Sequence, residues 1–495
     1  MLSPKIESQA IILVGNVIEQ EEDCACPDGA VALTFEEQPD AMENDCACAE
    51  KPFAVTELIE THSAFAQTPD TYSATLPQDF HLAFSPFAPT GPSALNPIAW
   101  ERWHTFAQPQ LLTQPIDHTL AAQRLIRPID GRIQVHPSKP ETLTAWLHIT
   151  NACNLDCPYC YVRKSSARMT ENIGQHALAR IFETAQQNNF RRVKLKYAGG
   201  EATLHFTLIR RLHEQARELA RETGLQLREV VLSNGTRLRE QEAVWFAETG
   251  VKLMLSLDGA GEIHDRLRRD RGGHGTFARI EETIDTLLLP RNIRPDITIT
   301  VTRLNADGAA DAVRWALERD LPVSLNFYRQ NVMSATHAEL ALEEQIIIDG
   351  MLKAYAMFEE LLPQRFFLNG LLDRAQMQAH LQTCGVGTSY LVITHEGKLA
   401  QCQMHLDRPV SATLDADLLL PVANGFIRQI PVDQKAGCRD CAFRYRCAGG
   451  CSLETFRATG RWDVSSPHCN IYKTLLPAAL RLEGMRLLKW NGYLS

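Results

Sequence analysis

The sequence predicts an α/β protein whose parallel strands are joined by crossover helices, followed by a cysteine-rich C-terminal region. Segments of strand and helix character alternate from Leu143 to about Ala335, which is typical of a parallel sheet with helical connections. Seven of the 14 cysteines lie after residue 380, and none lies between Cys160 and Cys384. The chain therefore has a thiol-free α/β middle between two cysteine-bearing regions.

Length and composition indicate a globular protein with more than one domain. The 495 residues exceed the roughly 250 to 300 residues that one hydrophobic core usually serves, so two or three domains are expected. Apolar residues make up 45% of the chain and charged residues 22%, as in ordinary soluble proteins.

The net charge of −9 is concentrated at the N-terminus. Residues 1–50 hold twelve Asp and Glu against the single Lys5, so the remainder is near neutral and nothing suggests nucleic-acid binding. No apolar run approaches the roughly 20 residues of a membrane span, and no signal-peptide pattern begins the chain. We therefore expect a cytoplasmic protein that does not bind membranes.

Residues 1–75 are expected to be an acidic, weakly ordered segment. It contains a near-repeat, Glu-Asp-Cys-Ala-Cys-Pro at 22–27 and Asn-Asp-Cys-Ala-Cys-Ala at 44–49. The pairs Cys24/Cys26 and Cys46/Cys48 fit three interpretations: one shared tetrahedral metal, a tail that never binds metal, or an imitation of a cysteine-rich peptide substrate. Metal content and turnover after mutation of all four cysteines would choose among these.

Residues 76–140 are expected to form a small separate module. Asn96 or Ser93 would cap a first helix, and a second helix near Leu120 to Ile126 would end at Pro128. The apolar residues that define it are Phe80, Leu82, Phe84, Phe87, Ile98, Trp100, Trp103 and Phe106. The pattern resembles the small winged-helix domains that recognise leader peptides in ribosomally made, modified peptides. A plain helical cap over the following domain is the alternative.

The α/β middle, residues 141–335, is expected to contain six strands. They are predicted near 144–150, 193–198, 228–233, 251–257, 296–303 and 321–327. Amphipathic helices are predicted between them, for example over Ile173 to Gln187, Leu204 to Arg221 and Gly275 to Leu289. Chemistry is expected at the carboxyl ends of such strands.

Three thiols follow the first predicted strand. Cys153, Cys157 and Cys160 lie in the loop between Ile149 and Tyr161 with C-x3-C-x2-C spacing. Three thiolates suit an iron-sulfur cluster whose fourth iron carries no protein ligand, just as a catalytic zinc keeps one position open. A structural zinc knuckle is the alternative interpretation.

Polar residues follow the next predicted strands. Gly199 and Gly200 allow backbone to approach a ligand closely, and Glu201 offers a carboxylate to an ammonium group. Hydroxyl and amide groups suited to ribose and carboxylate recognition end two further strands, at Ser233-Asn234-Gly235 and Ser256-Leu257-Asp258-Gly259. Arg268 is a planar donor suited to a carboxylate, unless it is one of several solvated charges.

The cysteine spacing, with the aromatic Tyr159 before the last thiol, is similar to the signature of radical S-adenosylmethionine (radical SAM) enzymes. That resemblance implies a partial (β/α)6 barrel and a [4Fe-4S] cluster whose open iron chelates SAM. One electron then cleaves SAM to methionine and a 5'-deoxyadenosyl radical. The SAM-binding residues it implies are Tyr159, Gly199, Gly200, Glu201, Ser233, Asn234, Ser256 and Arg268. Asp258 is a candidate base, with a structural role in its turn as the alternative.

The C-terminal cysteines resemble those of the SPASM domain of peptide and protein maturases. The motif consists of Cys384, Gly397 and Cys402, then Cys438-x2-Cys441-x5-Cys447-x3-Cys451, and finally Cys469. The resemblance implies one auxiliary [4Fe-4S] cluster on Cys438, Cys441, Cys447 and Cys469, and a second on Cys384, Cys402 and Cys451. The fourth ligand of the second cluster is undecided between a substrate thiolate and a residue such as His380. A double zinc ribbon is the alternative.

The predicted function is that of a radical SAM/SPASM peptide maturase with SAM and three [4Fe-4S] clusters. Beyond the two N-terminal segments, its domains would be the barrel at 141–335, a helical linker at 336–379, the SPASM domain at 380–480 and a tail at 481–495. It would install a thioether or carbon-carbon cross-link in a ribosomal precursor peptide, using a flavodoxin or ferredoxin-type reductant. The alternatives are oxidation of Ser or Cys on a protein, as in anaerobic sulfatase maturation, and a non-catalytic iron-sulfur or zinc protein.

Overall fold

The structure is a computed structural model. It describes residues 9–15, 54–56, 63–89, 91–130, 134–136, 139–415 and 417–494. Cys24, Cys26, Cys46 and Cys48 lie outside these residues, so the structure tests none of the three interpretations of these cysteine pairs.

The described residues form the following strands and helices. The strands are β1 (Ile12–Val14), β2 (Ala54–Thr56), β3 (Phe65–Gln67), β4 (Tyr72–Thr75), β5 (His81–Phe84), β6 (Ser93–Leu95), β7 (Ile126–Pro128), β8 (Gln134–His136), β9 (Thr142–Thr150), β10 (Arg192–Gly199), β11 (Gln226–Ser233), β12 (Lys252–Ser256), β13 (Asp296–Val301), β14 (Val323–Phe327), β15 (Tyr390–Ile393) and β16 (Leu399–Ala400). The helices are α1 (Pro97–Thr105), α2 (Pro115–Ala122), α3 (Glu171–Gln187), α4 (Phe206–Thr223), α5 (Glu240–Thr249), α6 (Glu262–Leu267), α7 (Phe277–Glu282), α8 (Ala309–Leu317), α9 (Glu344–Leu361), α10 (Leu368–Leu371), α11 (Leu419–Ala423), α12 (Arg444–Cys447), α13 (Ser452–Thr459) and α14 (Cys469–Trp490).

The central sheet confirms the predicted α/β class. Its strand order is β14-β13-β12-β11-β10-β9-β15-β16, and β9 to β14 are parallel to their neighbours. All six predicted strands are present, with ends within two residues of the predicted ones. Every residue of β9 is buried, although apolar residues alternate with largely polar ones along it, because neighbouring elements cover both faces of the strand.

Strand β15 joins the cysteine-rich region to this sheet. It lies within residues 380–480, which the sequence predicts as a separate domain, yet it pairs in parallel with β9 from Tyr390↔Thr144 to Ile393↔Leu147. Without β15, the outer edge of β9 would present unpaired backbone groups. The two regions therefore share one sheet.

Helices flank the parallel strands much as predicted. Helices α3 and α4 begin within two residues of the predicted starts, and Thr170 caps α3 by accepting a hydrogen bond from the Ile173 backbone N–H at 3.3 Å. The third predicted helix, Gly275 to Leu289, is the short α7 continued by a π-helical turn over Thr283–Leu288. Among the helices described, none is long and apolar enough to cross a membrane.

The N-terminal module is an antiparallel sheet of order β1-β6-β5-β4 with two helices and two further strand pairs, β2-β8 and β3-β7. Asn96 caps α1 as predicted, accepting from Ala99 N at 3.0 Å. The predicted second helix was misplaced: α2 starts at Pro115, and Ile126–Pro128 instead pairs with β3. Strands β1 to β4 also lie within residues 1–75, which the sequence predicts to be weakly ordered. Recognition of a peptide by this module stays a prediction.

The long helix α14 crosses a predicted boundary. Its 22 residues run from Cys469 to Trp490 without interruption, so the predicted division at 480 falls inside one helix. A Cβ at Gly484 of α14 would lie 2.7 Å from the Leu82 side chain and 2.9 Å from that of Leu76. The absence of a side chain at Gly484 thus lets α14 pack closely on the N-terminal module.

Candidate functional site

A cavity of about 280 Å³, here called the strand-end cavity, lies at the carboxyl ends of the parallel strands. It brings together residues from the loops after β9 to β12, which are far apart in sequence. The predicted residues that line it are Cys153, Cys157, Tyr159, Cys160, Gly199, Gly200, Ser233, Asn234, Ser256 and Arg268. Of the predicted residues of this site, Glu201 and Asp258 do not line it.

The thiol triplet, Cys153, Cys157 and Cys160, consists of free thiols on one wall of this cavity. The Asn234 side-chain amide lies 3.9 Å from Cys153 Sγ, and the Leu155 backbone N–H lies 3.4 Å from it. Burial raises the pKa of Cys157 to about 12. Because the thiolate is the metal-ligating form, such a thiol is deprotonated only when a bound cation compensates for burial. Three such donors beside open space fit a cluster with one free coordination position.

Lys164 is a site residue that the sequence analysis missed. It lines the same cavity, and its Nζ donates to the Leu155 carbonyl oxygen at 3.1 Å. Burial would lower the pKa of Lys164, but the three neighbouring thiols outweigh burial and raise it. Its position four residues after Cys160 was the available signal, but Arg163 lies closer still, three residues after Cys160, so spacing alone did not single out Lys164.

Gly199 and Gly200 serve close packing of backbone against backbone. A Cβ at Gly199 would lie 2.4 Å from the Thr150 carbonyl oxygen, and one at Gly200 would lie 2.3 Å from that of Ala152. Gly199 also has a φ of +149°, which side-chain-bearing residues rarely adopt. The sequence predicts that these glycines allow the backbone to approach a ligand closely. The structure adds that these glycines fix the loop carrying the thiol triplet against the end of β10.

Glu201 lies behind the cavity wall, where its carboxylate is occupied by protein donors. One oxygen accepts from Ser233 Oγ at 2.8 Å and Thr203 Oγ1 at 2.6 Å, and the other accepts from Asn234 N at 2.7 Å. Burial raises the pKa of Glu201, although these hydrogen bonds oppose the shift. Glu201 therefore ties the end of β10 to the end of β11, and the predicted contact with an ammonium group stays a prediction.

Asp258 organises the opposite wall. It is fully buried; one oxygen accepts from Thr300 N at 2.8 Å, and the other from Arg268 Nε at 2.7 Å and from the Tyr159 hydroxyl. The guanidinium of Arg268 also lies over the Tyr159 ring, 5.4 Å from its centre. Arg268 is buried and thus not a solvated charge. Burial alone would lower the pKa of Arg268, but Asp258 and neighbouring groups raise it above its ordinary value.

The thiol quartet, Cys438, Cys441, Cys447 and Cys469, surrounds a cavity of only about 20 Å³. All four thiols are free, and burial raises the pKa of Cys438 to about 11. Within the described ranges, no three His, Cys, Asp or Glu side chains are placed to share a single metal ion. In an iron-sulfur cluster each thiolate binds a different iron, and four thiols around one enclosed space could hold such a cluster.

The thiol trio, Cys384, Cys402 and Cys451, packs against one buried apolar cluster near β9 and β15. Gln429 Nε2 donates to Cys384 Sγ at 2.8 Å. Burial raises the pKa of Cys384 to about 12, although Arg374 opposes that shift. His380 is fully buried, and its Nε2 has no hydrogen-bond partner in the described part of the chain. The role of His380 as fourth ligand stays a prediction.

Lys435 is a second cation that the sequence analysis missed. It is buried, and its Nζ donates to the Ala448 carbonyl oxygen at 2.7 Å. Burial lowers the pKa of Lys435, whereas thiols of both sets, including Cys438 and Cys384, act to raise it. A cation placed between the quartet and the trio would balance part of the negative charge of two clusters.

A neighbouring groove, here called the adjacent groove, opens beside the strand-end cavity. It measures about 470 Å³, and its apolar lining includes the exposed Val332, Met333 and Phe426. The two cavities share part of their walls, namely the side chains of Tyr161, Val162, Gln403 and Met404. A molecule bound in the groove would thus lie next to the strand-end cavity.

Comparisons with known proteins agree with this geometry. Residues 147–301 match the radical SAM superfamily. The sporulation killing factor maturation protein SkfB of Bacillus subtilis (strain 168) is 28% identical over 175 residues, covering 34% of this chain and 38% of SkfB. The cysteine-type anaerobic sulfatase-maturating enzyme of Clostridium novyi (strain NT) is 30% identical over 143 residues, covering 27% of this chain and 37% of that enzyme.

A similarity over a greater length is found to an enzyme with a different name. The AdoMet-dependent heme synthase of Oleidesulfovibrio alaskensis is 26% identical over 366 residues, covering 68% of this chain and 89% of that enzyme. The solved structure of native anSMEcpe with bound AdoMet and Cp18Cys peptide has a TM-score of 0.59 at 20% identity, covering 70% of this chain and 99% of that one. That likeness shows a shared fold.

Proposed function

We propose that this chain, whose residues 147–301 form a radical SAM domain, cleaves SAM reductively and uses the resulting radical to modify a peptide. The observation that carries the proposal is the strand-end cavity, where the thiol triplet and seven of the eight predicted SAM-binding residues line one space of about 280 Å³. A closed zinc knuckle would need no such space beside its thiols.

The chain's residues have distinct tasks in this proposal. A four-iron cluster on the triplet with SAM on its open iron would supply the 5'-deoxyadenosyl radical. Arg268 would hold the SAM carboxylate, and Asp258 would keep Arg268 and Tyr159 in position. Glu201 would hold the Ser233-Asn234 loop against the cavity, so its effect on SAM would be indirect.

The cysteine-rich region would act as a SPASM domain with two auxiliary clusters. The quartet supplies four thiols around an enclosed cavity, which suits a fully protein-ligated cluster. The trio supplies three, leaving a position for His380 or a substrate thiolate. These clusters would accept the electron released when a new bond closes, or bind the substrate directly.

The adjacent groove is the best candidate for the peptide site. Its exposed apolar lining suits the side chains of an extended peptide, and the walls it shares with the strand-end cavity would bring one residue near the radical. Hydrogen abstraction there would lead to a thioether or carbon-carbon cross-link in a ribosomal precursor peptide. The name of SkfB, a maturation protein, supports this class of substrate.

Oxidation of Ser or Cys on a protein is the second candidate. The similarity to a sulfatase-maturating enzyme favours it. The heme synthase shows that similarity over most of this chain extends to an enzyme with another kind of substrate. Product analysis is therefore the deciding evidence.

The test begins with anaerobically reconstituted protein, SAM and dithionite. Formation of 5'-deoxyadenosine is expected, together with about twelve irons per chain from three four-iron clusters. Small peptides encoded next to the gene would then be added and read by tandem mass spectrometry. Loss of two hydrogens with retained side chains supports a cross-link, and conversion of a Ser or Cys on a protein supports the second candidate. Failure to form 5'-deoxyadenosine would exclude both.

A further inference from the structure

A third opening, here called the arginine groove, lies on another face of the barrel. It measures about 810 Å³ and is formed where α3, α4 and α5 begin. Five exposed arginines line it, namely Arg168, Arg210, Arg211, Arg237 and Arg239. None of its lining residues is among those that line the strand-end cavity.

Little negative charge offsets these arginines. The lining carboxylates are Glu171, which pairs with Arg211, and Glu242, which is buried and accepts from Arg239 N at 2.8 Å. Among the described residues, Arg168, Arg210 and Arg237 form no salt bridge. The N-terminal ends of three helices add partial positive charge at the same place. The groove is therefore a strongly positive concave surface that favours an acidic partner.

The arginine groove also lies close behind the thiol triplet. Thr203 lines the groove, and its Oγ1 donates to Glu201 at 2.6 Å. Glu201 accepts from Asn234 N at 2.7 Å, and the Asn234 amide lies 3.9 Å from Cys153 Sγ. Arg168, at the groove, forms a β-bridge with Thr150 at the start of the cysteine loop. Two residues thus connect the groove lining to a thiol of the triplet.

We propose that the arginine groove docks a small acidic one-electron carrier protein of the ferredoxin or flavodoxin class. This inference rests on the proposed function, because the electron's destination is a cluster on the triplet. In the step, the reduced carrier loses one electron and that cluster gains it. No bond forms or breaks, and no proton moves.

The separation of the arginine groove from the strand-end cavity favours an electron carrier over a peptide substrate as the partner of the groove. A peptide in the arginine groove has the packed wall of Glu201 and Asn234 between it and the strand-end cavity, so its side chains could not reach the radical. An electron can tunnel through a short stretch of packed protein. The adjacent groove, by contrast, shares walls with the cavity and suits a substrate.

Charge reversal tests the docking. The variant is R210E/R237E, and the matched control is R217E/R221E, which changes the same net charge on exposed positions of α4. Arg217 and Arg221 lie about 10 Å and about 16 Å along the helix from Arg210, away from the groove. The probe is oxidised plant-type [2Fe-2S] ferredoxin, whose affinity is measured by calorimetry at several salt concentrations. Thermal midpoints verify that both variants fold.

R210E/R237E should weaken ferredoxin binding about tenfold or more at low salt, and the difference should shrink as salt rises. The control should bind like the wild type, and R210K/R237K should retain most of the affinity because the charge is kept. Equal affinity of wild type and R210E/R237E would overturn the proposal.

Measurements of turnover distinguish a failure of carrier docking from a failure of the proposed function. With reduced ferredoxin as donor, R210E/R237E should form 5'-deoxyadenosine about tenfold more slowly, whereas dithionite, which needs no docking, should support the wild-type rate within about twofold. No 5'-deoxyadenosine from the wild type with dithionite would sink the proposed function, while the ferredoxin affinities would still decide whether the groove docks a carrier. Loss of peptide modification by R210E/R237E under dithionite would assign the groove to the substrate and overturn carrier docking.

Discussion

The thiol triplet and the thiol quartet differ chiefly in the space that the fold leaves beside them. The triplet lines a cavity of about 280 Å³ with polar groups from several strand ends, whereas the quartet encloses about 20 Å³. Both consist of buried or half-buried free thiols. In the proposed function, the room beside the thiols therefore distinguishes the triplet, where SAM would bind, from the quartet, which would only hold a cluster that passes electrons.

The physical cause of this difference is where the thiols lie in the fold. The triplet occupies one loop at the carboxyl ends of parallel strands, where neighbouring loops diverge and leave an opening. The quartet draws Cys438 and Cys441 from a loop, Cys447 from the end of α12 and Cys469 from the start of α14. Because these three segments converge, they enclose the cavity of the quartet from several sides.

The largest effect is expected from a substitution in the thiol triplet, and it distinguishes the triplet from the quartet. Cys157→Ala should reduce 5'-deoxyadenosine formation at least about a thousandfold, about 4 kcal/mol of activation free energy, because it removes a ligand of the open cluster. Iron content should fall by about four per chain. Product formation is measured by chromatography of anaerobic reactions with dithionite. Activity retained with full iron content would contradict the proposed role of the triplet.

Cys441→Ala is the matched change in the quartet. It should also remove about four irons, yet leave SAM cleavage within a few-fold of wild type while peptide modification is lost. The expected result follows from the enclosed cavity of the quartet, which leaves no room for SAM. Loss of SAM cleavage at normal SAM affinity would show that the two sets are not functionally separate.

A smaller effect is expected from substitutions of the residues that support the strand-end cavity. Asp258→Asn should weaken SAM binding roughly tenfold, about 1.4 kcal/mol, because Arg268 and Tyr159 lose their shared charged acceptor. Arg268→Lys should do the same, and the double variant should be little worse than either single one, since the residues act together. Equilibrium binding to reconstituted protein measures this. Normal SAM affinity and cleavage with loss of peptide product would instead make Asp258 the base.

A further effect, spread over a range of pH, concerns the turn that holds Asp258. His264 accepts from Asp258 N at 3.2 Å, and burial lowers the pKa of His264 from 6.5 to about 4. Since the folded pKa lies below the unfolded one, its contribution to stability is full above about pH 6.5 and is lost as the pH falls toward 4. Stability should therefore fall by up to about 1.4 kcal/mol per pH unit from this group in that window.

His264→Asn removes the titrating group, so its stability should depend less steeply on pH. The exposed His176 on α3 provides the control, and His176→Asn should keep the wild-type slope. Urea unfolding of the three proteins at several pH values between about 6.5 and 4 measures the slopes. Equal slopes for wild type and His264→Asn would contradict the assignment.

Local patterns predicted much of the fold and of the site. The six strands could be found because buried apolar runs ended at polar or glycine-containing turns, and the thiols could be grouped because ligands on one loop keep short spacings. The helix from 115 to 122 was misplaced because Pro115, which starts it, lies in a sequence with several prolines. Strand β15 was missed because a four-residue apolar run does not reveal its partner.

By itself, the sequence identified the residues that the proposed function uses, namely the triplet, the strand-end polar groups and the seven C-terminal thiols, because their spacing along the chain can be counted before the fold is known. Only the tertiary structure decided what surrounds them. It placed Glu201 behind the cavity wall, set Lys435 between two thiol sets, and gathered arginines from three separate segments into one groove. The spacing of nearby residues can be counted in the sequence. The space and the charge around a site, by contrast, depend on segments that meet only when the chain folds.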